Sequence, residues 1–420
     1  MISRRTLVQT AAGGAAALAM SGRMAVQAQH DPHLATPTIS PAEADVASPA
    51  ATAIVPKGAL TVGEVRSFSV EGQPVAMSPD GKWLAGPGPD RGFCIWDVET
   101  LKPAGATDRR PMAVQLETVT WAPDSSAVAF SLDAARLLTD SDIYVMDIDG
   151  TLHDLTDDGD NDKVSLSGDG PTVPIDMYPA WSPDGSQLTF ARTTWSSDTK
   201  DTALYTIDRD GGDPAQRFVV SPQEPFIVYA PMHWLADGSV IFSVLHADPS
   251  STQNGIWRLT ASGGVESILP GSESAEVPMP FVNDVSPDGT LATVMSFSRA
   301  GQFSTSAEEP VYFIVDLKTG KPVPVQSSEP RPAASITSSG AFLPDGSAIL
   351  SMEMSGNRPS VVLSDLDGAT IGFASLPEDV VGPVSYRGLS IATDGTVFMS
   401  TKSAGEQDTS GGVIFTVTRS

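Results

Sequence analysis

One short phrase recurs seven times along the chain and constrains the fold more than any other feature. It consists of an apolar residue, one spacer and then Pro-Asp-Gly or a close variant, and clear copies begin at Met77, Trp121 and Trp181. Degraded copies follow at residues 234–238, 285–289, 342–346 and 391–395. The copies therefore recur every 44 to 60 residues. Self-similarity at such a period indicates a series of similar supersecondary units packed side by side.

Each copy predicts a tight turn between two strands. Pro presets φ for the first corner of the turn, Asp accepts local backbone hydrogen bonds, and Gly adopts the left-handed conformation that leads into the next strand. Apolar and β-branched runs flank each copy, and a third strand ends in an acidic turn, as at residues 143–150 and 204–211. A polar fourth strand, such as residues 154–156, then leads into the next copy.

Seven copies of a four-stranded unit predict an all-β fold, a seven-bladed β-propeller with antiparallel blades. The last copy ends after its third strand, at Val417, while residues 60–70 alternate apolar and polar positions ahead of the first copy. We therefore expect this N-terminal strand to pair with the C-terminal blade and close the ring. Copies four and seven lack the Pro, so six or eight blades are the alternatives.

The repeat resembles that of the TolB-like, WD40-like (PD40) β-propeller family. The resemblance rests on residues 178–185, and on residues 143–150 followed by Leu155-Thr156, and it extends over roughly residues 60–420. It implies a propeller fold. TolB itself has a further N-terminal domain and six blades, so a role in envelope integrity is not carried over. Some propellers of this kind are lyases with a histidine-rich metal cluster, which the sequence does not display.

The N-terminal region predicts export. Residues 1–28 contain Arg4-Arg5, a soft apolar stretch and small residues before Ala28, the pattern of a twin-arginine signal peptide. An uncleaved N-terminal anchor is the alternative. Residues 29–57 are rich in Ala, Pro, Ser and Thr and predict a flexible linker, which leaves residues 58–420 for the propeller. The expected location is the periplasm, the cell wall or the exterior, without membrane insertion after cleavage.

Charge and cysteine content limit the partners. The chain has 51 acidic and 25 basic residues and a formal net charge of −26; loss of the three arginines in residues 1–28 leaves 22 basic residues and a charge of about −29. Such a surface repels nucleic acid and anionic lipid, and it suits either a cationic partner or solubility alone. The single cysteine, Cys94, cannot form an internal disulfide and is expected to be a buried thiol on the third strand of the first blade.

The turns also predict which face carries a site. Both kinds of tight turn should lie on one face of the ring, so the long connections should lie on the other face, where binding surfaces are usually built. The candidate ligand-face residues are Tyr178, Trp195, Lys200, His233, His246, Arg299, Arg358, Tyr386 and Arg387. For each of them, an ordinary loop or strand residue is the alternative.

One loop has the spacing of a calcium site. Asp158, Asp160 and Asp162 occupy positions one, three and five, and Asp169 occupies position twelve. Alternating oxygens at this spacing can surround a hard cation. Lys163 stands where a calcium loop has Gly, and a solvated acidic loop is the alternative. No cofactor other than calcium is expected.

The motifs of common catalytic sites are absent from the sequence. It contains no Gly-x-Ser-x-Gly elbow, no Cys-x-x-Cys, no His-Glu-x-x-His and no phosphate-cradling loop. The sequence therefore favours an exported, monomeric, non-catalytic propeller that binds a protein, peptide or glycan at the cell envelope with its long-loop face. The alternative is a lyase or hydrolase that acts on extracellular polysaccharide at the channel mouth.

Overall fold

The computed structural model describes residues 60–419 except for several connecting segments. The segments outside the description are residues 90–91, 108–117, 132–140, 159–173, 196–199, 222–225, 247–250, 252, 272–278, 298–310, 325–334, 337–339, 356–357, 368–369, 377–380, 384–388 and 403–408. Within the described part all regular structure is β, and no helix there is long and apolar enough to cross a membrane.

Thirty-one strands form seven antiparallel sheets. Two strands precede the first repeat, β1 (Leu60–Val62) and β2 (Arg66–Glu71). Blade one contains β3 (Ala76–Met77), β4 (Trp83–Pro87), β5 (Phe93–Asp97) and β6 (Pro103–Ala106). Blade two contains β7 (Thr120–Trp121), β8 (Ala127–Ser131), β9 (Ile143–Asp147) and β10 (Leu152–Asp154). Blade three contains β11 (Ile175–Trp181), β12 (Gln187–Trp195), β13 (Lys200–Asp208) and β14 (Ala215–Ser221).

The remaining blades repeat this order from the channel outward. Blade four contains β15 (Phe226–Trp234), β16 (Val240–His246), β17 (Gly255–Leu259) and β18 (Val265–Pro270). Blade five contains β19 (Met279–Val285), β20 (Leu291–Phe297), β21 (Val311–Asp316) and β22 (Pro322–Pro324). Blade six contains β23 (Ser335–Ile336), β24 (Ala341–Phe342), β25 (Ile349–Ser355), β26 (Arg358–Ser364) and β27 (Thr370–Ser375). Blade seven contains β28 (Val381–Pro383), β29 (Leu389–Ile391), β30 (Thr396–Lys402) and β31 (Thr409–Arg419).

The two termini close the ring, as the sequence predicts. Strand β31 pairs with β30 on one side and with β1 and β2 on the other, so the N-terminal strands form the outer edge of blade seven. Phe68 on β2 stacks at 6.2 Å from Phe398 on β30, which buries part of this seam. Closure removes the free sheet edge that an open array would expose to other chains.

All seven copies of the phrase form the same turn, which confirms seven blades. The left-handed position of the turn is occupied by Gly81, Ser125, Gly185, Gly238, Gly289, Gly346 and Gly395. In every copy this residue donates its N–H to the carbonyl three positions earlier, at 2.8–2.9 Å. The Asp side chain accepts the N–H two positions later, at 2.8–3.1 Å. The two copies without Pro keep both bonds, because neither bond involves the Pro.

The core lies between neighbouring blades. Phe93 of blade one stacks on Phe130 of blade two with ring centroids 4.0 Å apart, and Trp181 of blade three packs with Ala129 and Val145 of blade two. Cys94 lies on β5, the third strand of blade one, and burial raises the pKa of its thiol to about 12, which confirms an inert buried thiol.

The fourth strand of blade two begins earlier than the sequence predicts. It is β10, residues 152–154, whereas the polar pattern predicts residues 154–156. β10 pairs with β9 directly after the tight turn at Gly150, so the strand begins at Leu152. Leu155, the apolar residue of the predicted strand, follows the end of β10 and packs in the core.

Candidate functional site

The order of strands within a blade gives the ring two different faces. The first and second strands of each blade are joined by a Pro-Asp-Gly type turn, and the third and fourth by a short acidic turn, so both turns close one face. We call this the tight-turn face. The second-to-third connections and the links between blades all open on the opposite face, which we call the long-loop face.

A cavity of about 390 Å³ lies in the central channel at its tight-turn end. Its walls come from the innermost strands and first turns of blades one, two, five, six and seven. The apolar part of the lining includes Met77, Trp121, Phe342 and turn residues such as Pro79. Asp284, at the end of β19, is the titratable residue in this lining. The cavity therefore combines apolar walls with one carboxylate, a common composition for a small-molecule site.

Asp284 joins blade five to blade six. Its Oδ2 accepts the backbone N–H of Phe342 at 2.8 Å, and its Oδ1 accepts the N–H of Val285 at 2.9 Å. Burial raises the pKa of Asp284 to about 6, although both backbone hydrogen bonds lower it. A bulge lies at Asn283, just before Asp284, and the Asn283 side chain donates to the carbonyl of Gly340 in blade six.

Other inner-strand residues tie blades together without a charge. The indole of Trp181 donates to the carbonyl of Thr120 at 3.1 Å, and that of Trp121 donates to Ala76 at 3.4 Å, in each case in the preceding blade. Between blades seven and one, the hydroxyl of Ser390 accepts the N–H of Met77 at 3.2 Å. Asp284 occupies the position of Ser390 in its own blade, so a carboxylate stands where a hydroxyl makes the equivalent bond.

The long-loop face is raised at blade three. Strands β12 and β13 have nine residues each, whereas β4 and β8, which begin at the same distance from their turns, have five, and β16, β20, β25 and β30 have seven. Relative to blades one and two, the four extra residues carry the β12–β13 hairpin about 13 Å further toward the long-loop face. Its strands stay paired to the end, where Trp195 lies opposite Lys200, and the hydroxyls of Thr193 and Thr202 meet at 3.1 Å.

A buried ion pair supports the base of this hairpin. The guanidinium of Arg192 donates from Nε to Oδ1 of Asp176 at 2.7 Å and from Nη2 to Oδ2 at 2.6 Å. It also lies 5.0 Å from the ring centroid of Tyr205. Asp176 is 1% exposed, and burial raises the pKa of its carboxyl, although the hydrogen bonds from Arg192 act against this.

A second buried carboxylate lies beside this pair. Thr156 donates its hydroxyl to Asp142 at 3.2 Å. Burial lowers the pKa of Arg192, but its hydrogen bond to Asp176 and, to a smaller extent, the charges of Asp176 and Asp142 raise it overall. Ser141, the residue before Asp142, accepts the N–H of Asp176 with its carbonyl at 2.7 Å and donates its hydroxyl to the carbonyl of Asp176 at 2.9 Å. Blades two and three are thereby fixed to each other at the long-loop end.

The predicted candidates do not converge on one point. Tyr178 lies on β11 at a bulge with φ of 62°, a strained conformation for a non-glycine residue, and it packs in the core between blades three and four. His233 lies next to Trp234, at the tight-turn end of β15, whereas His246 lies at the long-loop end of β16. The sequence placed both histidines near the long-loop face; the strand register separates them because β15 and β16 are long.

The structure locates some of the other candidates, and the rest lie outside the described residues. Trp195, Lys200 and His246 lie at the long-loop ends of their strands, and Arg358 begins β26 there. Arg299, Tyr386 and Arg387 lie outside the described residues. Of the predicted calcium loop, Asp158 is described and exposed, and Asp160, Asp162 and Asp169 lie outside the description.

Sequence reasoning did not single out Asp176, Arg192 or Asp284. The signal for Asp284 was available, because it is an acidic residue immediately before the recurring phrase, where other copies have Ala, Thr, Ser or His. No pattern in the sequence marks the pairing of Asp176 with Arg192, which depends on how β11 and β12 align. Within the described part of the chain, no three His, Cys, Asp or Glu residues are grouped so that they could hold a metal ion.

No protein-family model matches the chain, and no curated protein matches it. The fold is similar to several solved structures. An oligogalacturonate lyase in complex with manganese is 11% identical, with 87% of this chain and 99% of that chain covered and a TM-score of 0.54. An oligogalacturonate lyase from Vibrio parahaemolyticus is 13% identical, with 86% and 98% covered and a TM-score of 0.53. TolB from Acinetobacter baumannii is 17% identical, with 74% and 67% covered and a TM-score of 0.40. At these identities the likeness to the lyases concerns the propeller fold alone.

Proposed function

We propose that the chain is an exported, non-catalytic binding propeller of the cell envelope, and that its ligand face is the long-loop face at blade three. The observation that carries the proposal is the projecting β12–β13 hairpin, which is paired up to Trp195 and Lys200 and supported by the Asp176–Arg192 ion pair. A paired, projecting edge loses less conformational entropy on binding than an unpaired loop, so it favours recognition.

The ligand class is a protein, peptide or glycan, and a cationic one suits the net charge of −26. Export rests on the twin-arginine pattern of residues 1–28, with residues 29–57 as a linker. We propose that the exported chain acts as a monomer, because the ring closes on its own terminal strands.

A hairpin-shortening variant tests this proposal. Thr193 and Thr202 pair directly across β12 and β13, so residues 194–201 can be replaced by Asn-Gly to give a two-residue hairpin turn on the same register. The wild-type chain is purified from its own envelope and examined by native mass spectrometry for a co-purifying ligand. We expect the shortened variant to unfold at the same temperature as the wild type. The amount of ligand that co-purifies with it should be at least about tenfold lower.

The matched control is Lys82→Ala on the tight-turn face, where this side chain is exposed. The amount of ligand that co-purifies with this control should equal that of the wild type. Equal recovery by the shortened variant would contradict a site at blade three. If the wild type instead converts a co-purifying polysaccharide into shorter products, the alternative of a lyase or hydrolase replaces the binding proposal.

A further inference from the structure

The cavity at the tight-turn end of the channel lies on the opposite side of the ring from the proposed ligand face and requires its own explanation. Its volume of about 390 Å³ falls within the range of about 300–1,000 Å³ that is typical of small-molecule sites. Its lining includes two aromatic side chains and a proline, those of Trp121, Phe342 and Pro287. These residues belong to the recurring phrase, so rigid turns hold them in place.

Asp284 has no cationic partner among the described residues. Its described hydrogen bonds come from the backbone N–H groups of Phe342 and Val285, one to each oxygen. A carboxylate has about four acceptor sites, so two remain for a donor in the cavity. The described lining contains no Lys, Arg or His. A charge that is partly removed from water is costly unless a counter-charge approaches it, and Asp284 lines the cavity, so a ligand there can supply one.

Among the described residues, no charged side chain contributes to the pKa of Asp284, which burial raises and the two backbone hydrogen bonds lower. β19 packs against β15, β16, β17, β20 and β24, and the titratable residues at issue are His233, His246 and Arg258. His246 lies at the far, long-loop end of β16. Arg258 is paired opposite Ile241, and its charge acts within blade four, where the pKa of Asp237 is lowered first by hydrogen bonds from Ser239 and then by Arg258. His233 precedes the recurring phrase in blade four as Asp284 does in blade five, and it is not among the groups that shift the pKa of Asp284.

We propose that this cavity binds a small organic cation, a protonated amine with an apolar body. The ammonium group donates to the carboxylate of Asp284, and the apolar body lies among Trp121, Phe342 and the turn prolines. The aromatic rings add an attraction for the cation that a purely aliphatic wall would lack.

Other ligand classes fit this lining less well. A calcium ion requires six to eight oxygen ligands, whereas the wall offers one carboxylate and a few hydroxyls, of which that of Ser390 already accepts a bond from Met77. An anion is repelled by Asp284. A neutral apolar molecule leaves the carboxylate charge without a partner.

Isothermal titration of the full exported chain with three related probes tests the proposal. Phenethylamine is a cation, phenethyl alcohol is its neutral analogue, and hydrocinnamate is an anion of similar shape. At about pH 8, where Asp284 is ionised, we expect the amine to bind at least about tenfold more tightly than the alcohol and the anion not to bind. The amine affinity should fall about tenfold for each pH unit below about 6, because protons then compete for Asp284.

Two variants locate the effect. Asp284→Asn keeps an acceptor for the N–H of Phe342 but loses the charge, so the amine should bind no better than the alcohol. Asp394→Asn removes a charge on the same face from a residue that is not part of the cavity lining, and this variant should bind the amine as the wild type does. The proposal is overturned if the amine shows no binding at millimolar concentration, if alcohol and amine bind equally, or if Asp284→Asn leaves the amine affinity unchanged. The pH series on the wild type decides the question even if Asp284→Asn does not fold.

Discussion

The tight-turn face and the interior of the ring use aspartate in opposite ways. On the tight-turn face, Asp184 accepts bonds from Ser182 and from the N–H and hydroxyl of Ser186, and these bonds lower the pKa of its carboxyl to about 2. Inside the ring, burial raises the pKa of Asp176 and that of Asp284. The exposed carboxylates repeat with the fold and stabilise turns. The buried ones do not repeat, and they mark the places where the ring departs from its own pattern.

The largest expected effect comes from breaking the buried ion pair. Arg192→Met leaves Asp176 charged and buried without its partner, so the free energy of unfolding should fall by about 3–5 kcal/mol at neutral pH. The loss should shrink as the pH is lowered, because the unpaired carboxyl takes up a proton. Urea unfolding followed by tryptophan fluorescence measures both effects.

The same change on the tight-turn face is the control. Arg209 bridges Asp124 at 3.4 Å and Asp147 at 3.6 Å, and its side chain is 27% exposed. Arg209→Met should cost about 1 kcal/mol or less, since exposed ion pairs contribute little. The double variant Asp176→Leu with Arg192→Met should recover much of the stability that Arg192→Met loses, because Asp176 then no longer leaves a buried charge without its partner. Equal losses for the two arginine variants would contradict the contrast between interior and face.

Removing the charge of Asp284 should stabilise the protein. Its folded pKa of about 6 lies above the value of 3.8 for a free carboxyl, so the folded state binds more protons than the unfolded state between these values. Stability is therefore lost as the pH rises through about 6, by up to about 3 kcal/mol. Asp284→Asn should accordingly be more stable than the wild type at about pH 8 and should lose this advantage below about pH 4. A stability difference that does not change with pH would show that burial does not perturb Asp284.

The repeat explains why so much of the fold could be predicted and so little of the site. A turn such as that at Asp288 depends on residues within five positions, so the sequence displays all its parts. Closure by residues 60–70 was also predictable, because the last repeat visibly lacks a strand. Asp176 and Arg192 meet only through the register of β11 on β12, which leaves no mark in a local pattern. The sequence shows an acidic residue before the phrase at Asp284, but its bond to Phe342 depends on how blades five and six pack.

Removing a turn carboxylate should have a smaller effect, with the opposite dependence on pH. Asp288 accepts bonds from the hydroxyl of Ser286 and from the N–H and hydroxyl of Thr290, and these bonds lower the pKa of its carboxyl. Asp288→Ala should lose about 1 kcal/mol at neutral pH. This loss should disappear as the pH falls below about 4, because the wild-type carboxyl is then protonated as well. Asp288→Asn keeps an acceptor and should lose less; a loss that grows at low pH would contradict the assignment.

The smallest effect is expected at Ser125, where two contributions oppose each other. Ser125 has φ of 61° at the position that is Gly in the other six copies, and its hydroxyl accepts the N–H of Asp80 in the preceding blade at 3.0 Å. Ser125→Gly relieves about 1 kcal/mol of backbone strain and loses a hydrogen bond of about 1 kcal/mol, so its stability should stay close to that of the wild type. Ser125→Ala keeps the strain and loses only the bond, so it should unfold at lower denaturant concentration than either. If Ser125→Ala matches the wild type, this bond between blades one and two contributes nothing, and the turn position is governed by backbone conformation alone.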